Sequence, residues 1–239
     1  MKKRIKAGKQ KVVSYFTEDK RVFAKDLSLT KLFFIFIVGS VVGVYYEQIL
    51  NLITHYLDNG SIFWEYRRGV IYGPFNPLYG AGAVLFTWLL LRNDRRWWET
   101  ILYGGIIGGV FEYVVNFFQE VVMRTSSWNY EGYFLNINGR TTIPFMLAWG
   151  IMALIFTDYL YPKISRWIEK IPYRLGQWIT VVFAIFMAID ILLSWTALAR
   201  QTLRRSGVKP FTIVGRIYDD IYNDEALAHY FPNMKPKER

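Results

Sequence analysis

Five apolar segments, separated by polar and charged stretches, dominate the chain. They cover residues 32–52, 78–91, 100–122, 143–161 and 177–199. A helix needs roughly 20 apolar residues to cross the hydrocarbon core of a bilayer. Four segments meet that requirement, whereas residues 78–91 are short unless residues 72–77 continue the helix. The pattern predicts an all-α polytopic membrane protein with about five transmembrane helices, one of them short, broken or re-entrant.

The sequence just before the second segment is the least compatible with a regular span. Residues 68–83 contain four glycines and two prolines, among them Gly73, Pro74 and Pro77. Non-helical backbone survives at membrane depth only where protein or trapped water pairs its N–H and C=O groups. Interrupted segments of this kind often mark the binding sites of transporters. The alternative is a half-helix that fills space between its neighbours, and both interpretations remain open.

Composition agrees with the membrane class and narrows the chemistry. The 239 residues are 53% hydrophobic with a mean hydropathy of +0.15, which is high for a soluble domain. A net charge of +10 beside apolar runs favours an anionic membrane face, so the predicted partner is the lipid bilayer and not nucleic acid. The chain has no cysteine, which excludes disulfides and thiolate chemistry. No cofactor is predicted, and the question of a metal stays open.

The distribution of lysine and arginine predicts the orientation. The arm before the first helix and the loops after the second and fourth hold 17 of these residues, and the loops on the other side hold 4. Because basic loops stay inside, we expect a multi-pass cell-membrane protein with a cytoplasmic N-terminus. The predicted parts are a basic cytoplasmic arm (1–31), a transmembrane domain (32–199) and a polar tail (200–239).

The tail conflicts with this orientation. Five spans place it outside, although it holds the remaining 8 lysine and arginine residues. Residues 207–239 mix proline, aspartate and aromatic residues without a sustained hydrophobic period, and no regular structure is predicted for them.

Several acidic and amide side chains fall within the predicted helices. Glu47 lies toward the outer end of the first helix, and Asp190 lies near the middle of the fifth. Glu112, Asn116 and Glu120 recur every four residues, so they share one side of the third helix. Ionisable residues in spans are rare and often functional. They predict a polar cavity in the outer half of the membrane for a cation, a proton or a polar head group.

A structural interpretation competes with this one. The same carboxylates can pair with Arg68, Arg124, Arg140 or tyrosine hydroxyls and so tie the helices together. For any single acid this interpretation is favoured, because paired acids also occur near helix ends. For the group as a whole a site is favoured, because the acids and the Gly/Pro-interrupted backbone converge on one side.

The predicted outer loop between the third and fourth helices is the second region of dense chemistry. Its aromatic, amide and basic side chains are Trp128, Asn129, Tyr130, Asn136, Asn138 and Arg140. Aromatic residues at a membrane boundary often only form an interfacial belt. Here the donor-rich turn is able to fold over the cavity. Arg140 would then pair with Glu112 or Glu120, or hold an anionic group in its planar guanidinium.

These motifs resemble the putative ABC-transporter type IV family, an integral-membrane family of bacteria with animal transmembrane relatives. The resemblance covers about residues 32–160. It rests on Glu47, Arg68-Gly69, Tyr72-Gly73-Pro74, residues 77–83, Glu112-Tyr113, Glu120, Trp128-Asn129-Tyr130 and residues 134–140. One departure is Asn129, where the family usually has aspartate. The exchange weakens a role in binding a cation or proton, whereas asparagine serves nearly as well in a turn.

The resemblance implies a permease. Since the chain lacks the Gly-x-x-x-x-Gly-Lys-Ser/Thr loop that binds nucleotide phosphates, its expected partners are a separate ATPase subunit and a second copy in a homodimer. We therefore predict a permease component or small transporter with a polar, outward-facing intramembrane site. The predicted cavity residues are Glu47, Arg68, Gly73, Pro74, Asn76, Pro77, Tyr79, Glu112, Asn116, Glu120, Trp128, Asn129, Tyr130, Asn136, Asn138 and Arg140.

Two functions of other classes remain as alternatives. One is a membrane enzyme that acts on lipid head groups, with paired carboxylates as acid and base. The other is a structural or regulatory membrane partner with no chemistry of its own, in which the acids and arginines form buried pairs.

Overall fold

A computed structural model describes residues 22–236 of the protein. Residues 1–21 of the predicted arm lie outside these described residues. The helices are α1 Leu29–Asn59, α2 Pro77–Leu90, α3 Trp97–Phe118, α4 Ile143–Ile155, α5 Tyr161–Glu169, α6 Tyr173–Arg205, α7 Ile213–Ile221 and α8 Asp224–Tyr230. A π-helical turn, Gln119–Met123, extends α3, and another, Phe156–Leu160, joins α4 to α5. The short strands are β1 Thr125–Ser126, β2 Asn136–Ile137, β3 Thr141–Thr142 and β4 Lys235–Pro236.

Four helical stretches in residues 22–236 are long and apolar enough to cross a membrane. They are Leu29–Asn59, Trp97–Met123, Ile143–Glu169 and Tyr173–Arg205. Each extends beyond the apolar segment that predicted it, because a helix continues past the hydrocarbon core into the polar interface. The predicted fold class, an all-α multi-pass membrane protein, is confirmed.

The second predicted helix is the short and broken element. α2 has 14 residues and is about 21 Å long, against about 30 Å for the hydrocarbon core. It begins beside the middle of α1, where the backbone N–H of Asn76 donates to the Ser40 carbonyl at 3.0 Å. Residues 61–76 therefore return along the bundle without helical structure, and α2 continues the crossing.

Local chemistry determines where α2 begins. The Asn76 side-chain oxygen accepts a hydrogen bond from the Leu78 N–H at 3.2 Å. Pro77 occupies the first helical position, where a missing N–H costs nothing and the fixed φ angle suits a helix. An asparagine cap followed by proline starts a helix efficiently, even at membrane depth.

Glycines line the contacts of α1 with α2 and of α3 with α4. A Cβ atom on Gly43 would lie 2.2 Å from the Tyr79 side chain. A Cβ atom on Gly150 would lie 2.2 Å from the Ile101 carbonyl oxygen. Small residues let helix backbones approach closely, which is how helices gain packing energy in lipid. The bundle is therefore built from two closely packed helix pairs.

The tail is folded, so the expectation of no regular structure was wrong. Thr212 and Asn223 cap α7 and α8, and β4 pairs antiparallel with β1. Apolar tail residues join a buried cluster composed of Ile71, Met123, Ala197, Leu198, Tyr222, Leu227 and Phe231. Within the short helices and the strand of the tail only Leu227 is buried, so no hydrophobic period is visible in the sequence. We call the end of the bundle that carries the tail, where α1 ends and α4 begins, the tail end.

Candidate functional site

A polar cavity of about 640 Å³ opens at the tail end. Four segments form its wall: the non-helical stretch before α2, the π-helical turn after α3, the loop that follows β1, and the tail. The lining residues are Glu65, Arg67, Glu120, Ser126, Ser127, Trp128, Asn129, Pro232, Asn233, Lys235 and Pro236. Both signs of charge are present, together with hydroxyl and amide groups. The cavity is thus suited to a polar occupant.

Glu47 connects the cavity wall to the start of α2. Its Oε1 accepts a hydrogen bond from Asn233 Nδ2 at 2.8 Å and lies 3.8 Å from Arg67 Nη1. Its Oε2 accepts a hydrogen bond from Asn76 Nδ2 at 3.3 Å. One carboxylate therefore links α1, the cap of α2, the non-helical stretch and the tail.

Arg140 pairs with Glu120, one of the two acids expected for it. Its Nε donates to Glu120 Oε2 at 2.9 Å, and its Nη1 donates to the Tyr113 hydroxyl at 3.1 Å. The guanidinium also lies over the Tyr113 and Phe117 rings, at 5.2 and 5.3 Å. The hydrogen bond from Arg140 to Glu120 raises the pKa of the Arg140 guanidinium. Arg140 thus orients a carboxylate of the cavity wall and does not line the cavity itself.

Glu112 belongs to a separate cluster. Its Oε1 accepts a hydrogen bond from the Tyr130 hydroxyl at 2.9 Å, and its Oε2 accepts one from Thr141 Oγ1 at 2.8 Å. The side chain is buried, and Tyr130 stacks on Phe145 with ring centroids 4.7 Å apart. Burial raises the pKa of the Tyr130 hydroxyl, which keeps it protonated as a donor. Glu112 therefore ties the loop to α3, outside the cavity wall.

Amide side chains of α3 and of the loop mostly hold the loop in place. Asn116 Nδ2 donates to the Trp128 carbonyl at 2.8 Å, and Asn138 Nδ2 donates to the Tyr113 hydroxyl at 3.0 Å. The side-chain oxygen of Asn136 accepts the Gly139 N–H at 3.1 Å. These three residues, all predicted to bind a ligand, make these hydrogen bonds within α3 and the loop.

Asn129 has a place in the wall and a turn-forming role. Its Oδ1 accepts the Glu131 N–H at 2.8 Å, the hydrogen bond of an Asx turn, in which asparagine and aspartate are both common. This contact agrees with the turn-forming interpretation of the exchange. Trp128, its neighbour in the wall, donates from Nε1 to the Arg140 carbonyl at 3.0 Å.

The backbone before α2 is paired by polar side chains of α6. The Ile71 N–H donates to Ser194 Oγ at 2.9 Å, and the Tyr72 N–H donates to Asp190 Oδ1 at 3.1 Å. Gly73 has φ +71°, a conformation that glycine adopts without strain. The interrupted segment thus remains at depth because α6 supplies acceptors. This contact gives Asp190 a structural role.

Arg68 packs against the tail and lies outside the cavity wall. Its guanidinium lies over the Tyr66 and Tyr230 rings, 5.2 and 4.7 Å from their centroids. The arginine of the wall is its neighbour Arg67. Four further predicted residues shape the turn and the start of α2 without lining the cavity: Gly73, Pro74, Pro77 and Tyr79.

Of the residues predicted from sequence, Glu120, Trp128 and Asn129 line the cavity, and Glu47 and Asn76 adjoin it. The other lining residues were not predicted from the sequence; they are Glu65, Arg67, Ser126, Ser127, Pro232, Asn233, Lys235 and Pro236. The charges at positions 65 and 67 were visible beside the Gly/Pro stretch. The tail residues had no local signal, because the pairing of β4 with β1 brings them to the wall.

Ion pairs hold α7 and α8 against the end of α6. Arg200 donates to both carboxylate oxygens of Asp219, at 2.9 and 2.6 Å. Arg204 donates to Asp219 at 2.6 Å and to Asp224 at 2.8 Å. Hydrogen bonds from Arg200 and Arg204, respectively, lower the pKa of the Asp219 and Asp224 carboxyls. Two of the tail's eight basic residues are therefore paired with carboxylates within the tail.

These lowered pKa values predict that acid releases the tail. A carboxyl with a folded-state pKa below its unfolded value, about 3.9 for aspartate, stabilises the fold fully above that value and loses the effect as pH falls through the folded pKa. We expect a spin label on Ala228→Cys to be immobile at neutral pH and to become mobile below about pH 4. Electron paramagnetic resonance spectra recorded across this range measure the change.

Two neighbouring acids provide the matched comparison. Asp219→Asn is expected to loosen the label already at neutral pH, whereas the exposed Asp220 tolerates the same change. Equal label mobility in both variants, or a tail that stays immobile in acid, would refute the role of these ion pairs.

Comparison with known proteins identifies a family for most of the chain. Residues 34–195 match the model of the family described as putative ABC-transporter type IV. No curated protein and no solved structure matches the chain. The matched range begins within α1 and ends within α6, and it contains the other two spans, the interrupted segment and most of the cavity wall. The tail residues of the wall, such as Asn233, follow the matched range.

Proposed function

We infer the function from one premise: the chain belongs to the putative ABC-transporter type IV family, whose model covers residues 34–195. We propose that the protein is a permease component of a transport system, or a small transporter, and that the cavity at the tail end receives a polar solute. The proposal includes a cytoplasmic N-terminus, which follows from the distribution of lysine and arginine. The cavity would then open outward.

One observation carries the proposal: a polar cavity adjoins an interrupted span. Its volume of about 640 Å³ lies in the range of small-molecule sites. Glu65 and Arg67 come from the stretch that precedes α2, and Glu120 comes from the end of α3. A solute that contacts these groups bridges the α1–α2 pair and the α3–α4 pair. Binding can therefore bias the packing of one pair against the other.

The wall also indicates the chemistry of the solute. Arg67 and Lys235 offer donors and positive charge, and Glu65 and Glu120 offer acceptors and negative charge. The Glu47 carboxylate lies 3.8 Å from Arg67 Nη1 and helps to hold the Arg67 guanidinium in place. A solute with several hydrogen-bonding groups satisfies such a wall, whereas an apolar solute would leave its buried polar groups unpaired.

Binding and flux of defined solutes test this function. Purified protein is screened for thermal stabilisation by amino acids, short peptides, sugars, choline and inorganic phosphate, and each stabilising solute is then offered to proteoliposomes. At a concentration about 100-fold above its Kd, a solute bound only by the folded state adds about 2.7 kcal/mol of stability. We expect Arg67→Gln to abolish this stabilisation and the uptake of the same solute.

Arg124→Gln is the matched control. It removes one arginine at the tail end from a position that does not line the cavity, so it should keep both responses. Each variant is compared with its own ligand-free unfolding midpoint, which separates binding from basal stability. The transport proposal fails if no solute is taken up, or if Arg67→Gln responds like Arg124→Gln. In that case the pairs between acids and arginines would support the alternative of a structural or regulatory membrane partner.

We propose a separate ATPase subunit as the partner that supplies energy, because the chain carries no phosphate-binding loop of its own. A second copy of the chain would complete the path of the solute across the membrane. One bundle of this size has few helices with which to enclose such a path. Mild purification from native membranes would then recover two copies together with a nucleotide-hydrolysing subunit. Recovery of a lone monomer that transports its solute would refute both partners.

A further inference from the structure

The helix α7 has an apolar side that the protein leaves uncovered. Phe211, just before α7, is 86% exposed, and Ile213 and Val214 are 71% and 61% exposed. Ile217 and Ile221 are also exposed. Residues 213, 214, 217 and 221 are spaced so that they share one side of a helix. Within two and a half turns the protein thus presents a continuous stripe of large aliphatic side chains.

The opposite side of α7 is bound to α6, so the exposed stripe has a fixed direction. The Tyr218 hydroxyl lies 2.8 Å from Thr196 Oγ1, and Asp219 accepts hydrogen bonds from Arg200 and Arg204. Tyr222, one turn beyond Tyr218, lies in the buried cluster. α7 therefore cannot rotate to bury its aliphatic side without losing these contacts.

α6, to which α7 is bound, also exposes apolar side chains. Leu192 and Leu203 are both exposed and lie eleven residues apart, close to three full turns, so they share one side of α6. Only residues 206–212 separate the end of α6 from α7. Val208 in this connection is exposed as well. The short connection keeps α7 beside the end of α6, a candidate membrane span.

We propose that α7 is an interfacial helix that lies in the membrane surface, with its aliphatic side between the head groups and acyl chains. Ile213, Val214, Ile217 and Ile221 contact the acyl chains near the glycerol level. Arg216, exposed on the flank of α7, lies among the lipid phosphates, as basic residues do on interfacial helices. This inference concerns a second lipid-binding surface and does not depend on the proposed transport function.

The arrangement also suggests why α7 forms despite its length. A helix of nine residues is marginal in water, and four exposed aliphatic side chains would favour aggregation. The ion pairs to α6 hold one side and the bilayer takes up the other. A helix fixed in this way anchors the tail whose end forms part of the cavity wall.

The absence of cysteine makes a site-specific test direct. Full-length Ile217→Cys and Val214→Cys variants are labelled with a nitroxide and reconstituted into vesicles of phosphatidylethanolamine and phosphatidylglycerol. Collisions with oxygen, which concentrates among acyl chains, are compared with collisions with a water-soluble nickel chelate. We expect the oxygen-to-nickel collision ratio at both positions to exceed that of Arg216→Cys several-fold, since that site lies one residue away on the polar flank.

Each other outcome overturns the proposal. Equal ratios at positions 214, 216 and 217 would place α7 in water. Exclusion of both reagents from 214 and 217 would indicate a protein contact, including one with a second copy of the chain. Because all three positions are exposed, the substitutions remove no buried contact. Ile213→Cys provides a further site on the same side if one labelled variant does not reconstitute.

Discussion

Replacing Gly80 by alanine is expected to destabilise the bundle by about 2 kcal/mol, a typical cost of overpacking. A Cβ atom at this position would lie 2.2 Å from Ser40 Oγ and 2.5 Å from the Phe36 carbonyl oxygen. The hydroxyl can rotate away, but the carbonyl belongs to the α1 backbone and cannot. α2 would have to move away from α1, which also loosens the contact of Tyr79 with Gly43.

Gly82 offers a control on the same helix, two residues away. The nearest atoms to a Cβ atom there, in Phe111 and Trp149, lie at 3.9 Å, an ordinary van der Waals contact. Alanine also favours a helix over glycine by about 1 kcal/mol. We therefore expect Gly82→Ala to be neutral or up to about 1 kcal/mol more stable. Unfolding in mixed micelles of a mild detergent and dodecyl sulfate measures both free energies.

The comparison tests the close approach of α1 and α2 directly. Equal stability of Gly80→Ala and Gly82→Ala would mean that the two helices are not in contact at Gly80. A loss in both variants would instead indicate that α2 needs flexible backbone throughout its first turns.

Asp190→Ala is expected to cost about 2 kcal/mol, because it leaves the Tyr72 N–H, which donates to the buried Asp190 side chain, without an acceptor. This N–H lies in the interrupted stretch, where no helical partner exists and lipid offers none. Ser194→Ala acts in the same way on the Ile71 N–H. The two losses should be coupled, since both acceptors hold adjacent residues of one turn. Amide exchange at Ile71 and Tyr72 should accelerate in both variants.

Asp190→Asn separates hydrogen bonding from charge. The asparagine side-chain oxygen still accepts the Tyr72 N–H, and we expect stability within about 0.5 kcal/mol of the unmodified protein. If Asp190→Asn were as damaging as Asp190→Ala, the negative charge and not the acceptor would be the important property. Asp190 would then need reconsideration as an ion-binding or proton-binding group. If neither change mattered, the turn would be held by other contacts.

Gly80 and Asp190 both help to keep the non-helical backbone before α2 within the membrane bundle. Close packing of α2 on α1 fixes the helix, and acceptors on α6 fix the turn that precedes it. The turn in turn positions Arg67 and Glu65 in the cavity wall. Gly80→Ala and Asp190→Ala should therefore reduce the proposed solute binding as well as stability, although neither residue lines the cavity.

Local properties made much of the fold predictable. Apolar length identified the spans that became α1, α3 with its π-helical turn, α4 with α5, and α6, because crossing a bilayer depends on consecutive residues of one segment. The same rule marked residues 78–91 as too short. The Gly/Pro stretch before them indicated a break, and the structure contains one there.

The candidate site was less predictable, because its wall joins segments that are distant in sequence. The four-residue spacing predicted Glu112 and Glu120 on one side of a helix, yet Glu112 accepts hydrogen bonds from Tyr130 and Thr141, whereas Glu120 lies in the wall beside Arg140. Eight residues of helix separate them by about 12 Å along the axis, enough to place them in different clusters. No periodicity connects Asn233 with Glu47, 186 positions apart.

By itself the sequence determined the membrane class, the spans and the break before α2. These properties depend on hydrophobic length and on the local content of glycine and proline, which act within one segment. Only the tertiary structure decided which acceptors pair the interrupted backbone, which arginine each acid meets, and that the tail folds over the tail end. Those outcomes depend on buried polar groups finding partners in space, and a buried group must be paired whatever the sequence distance of its partner.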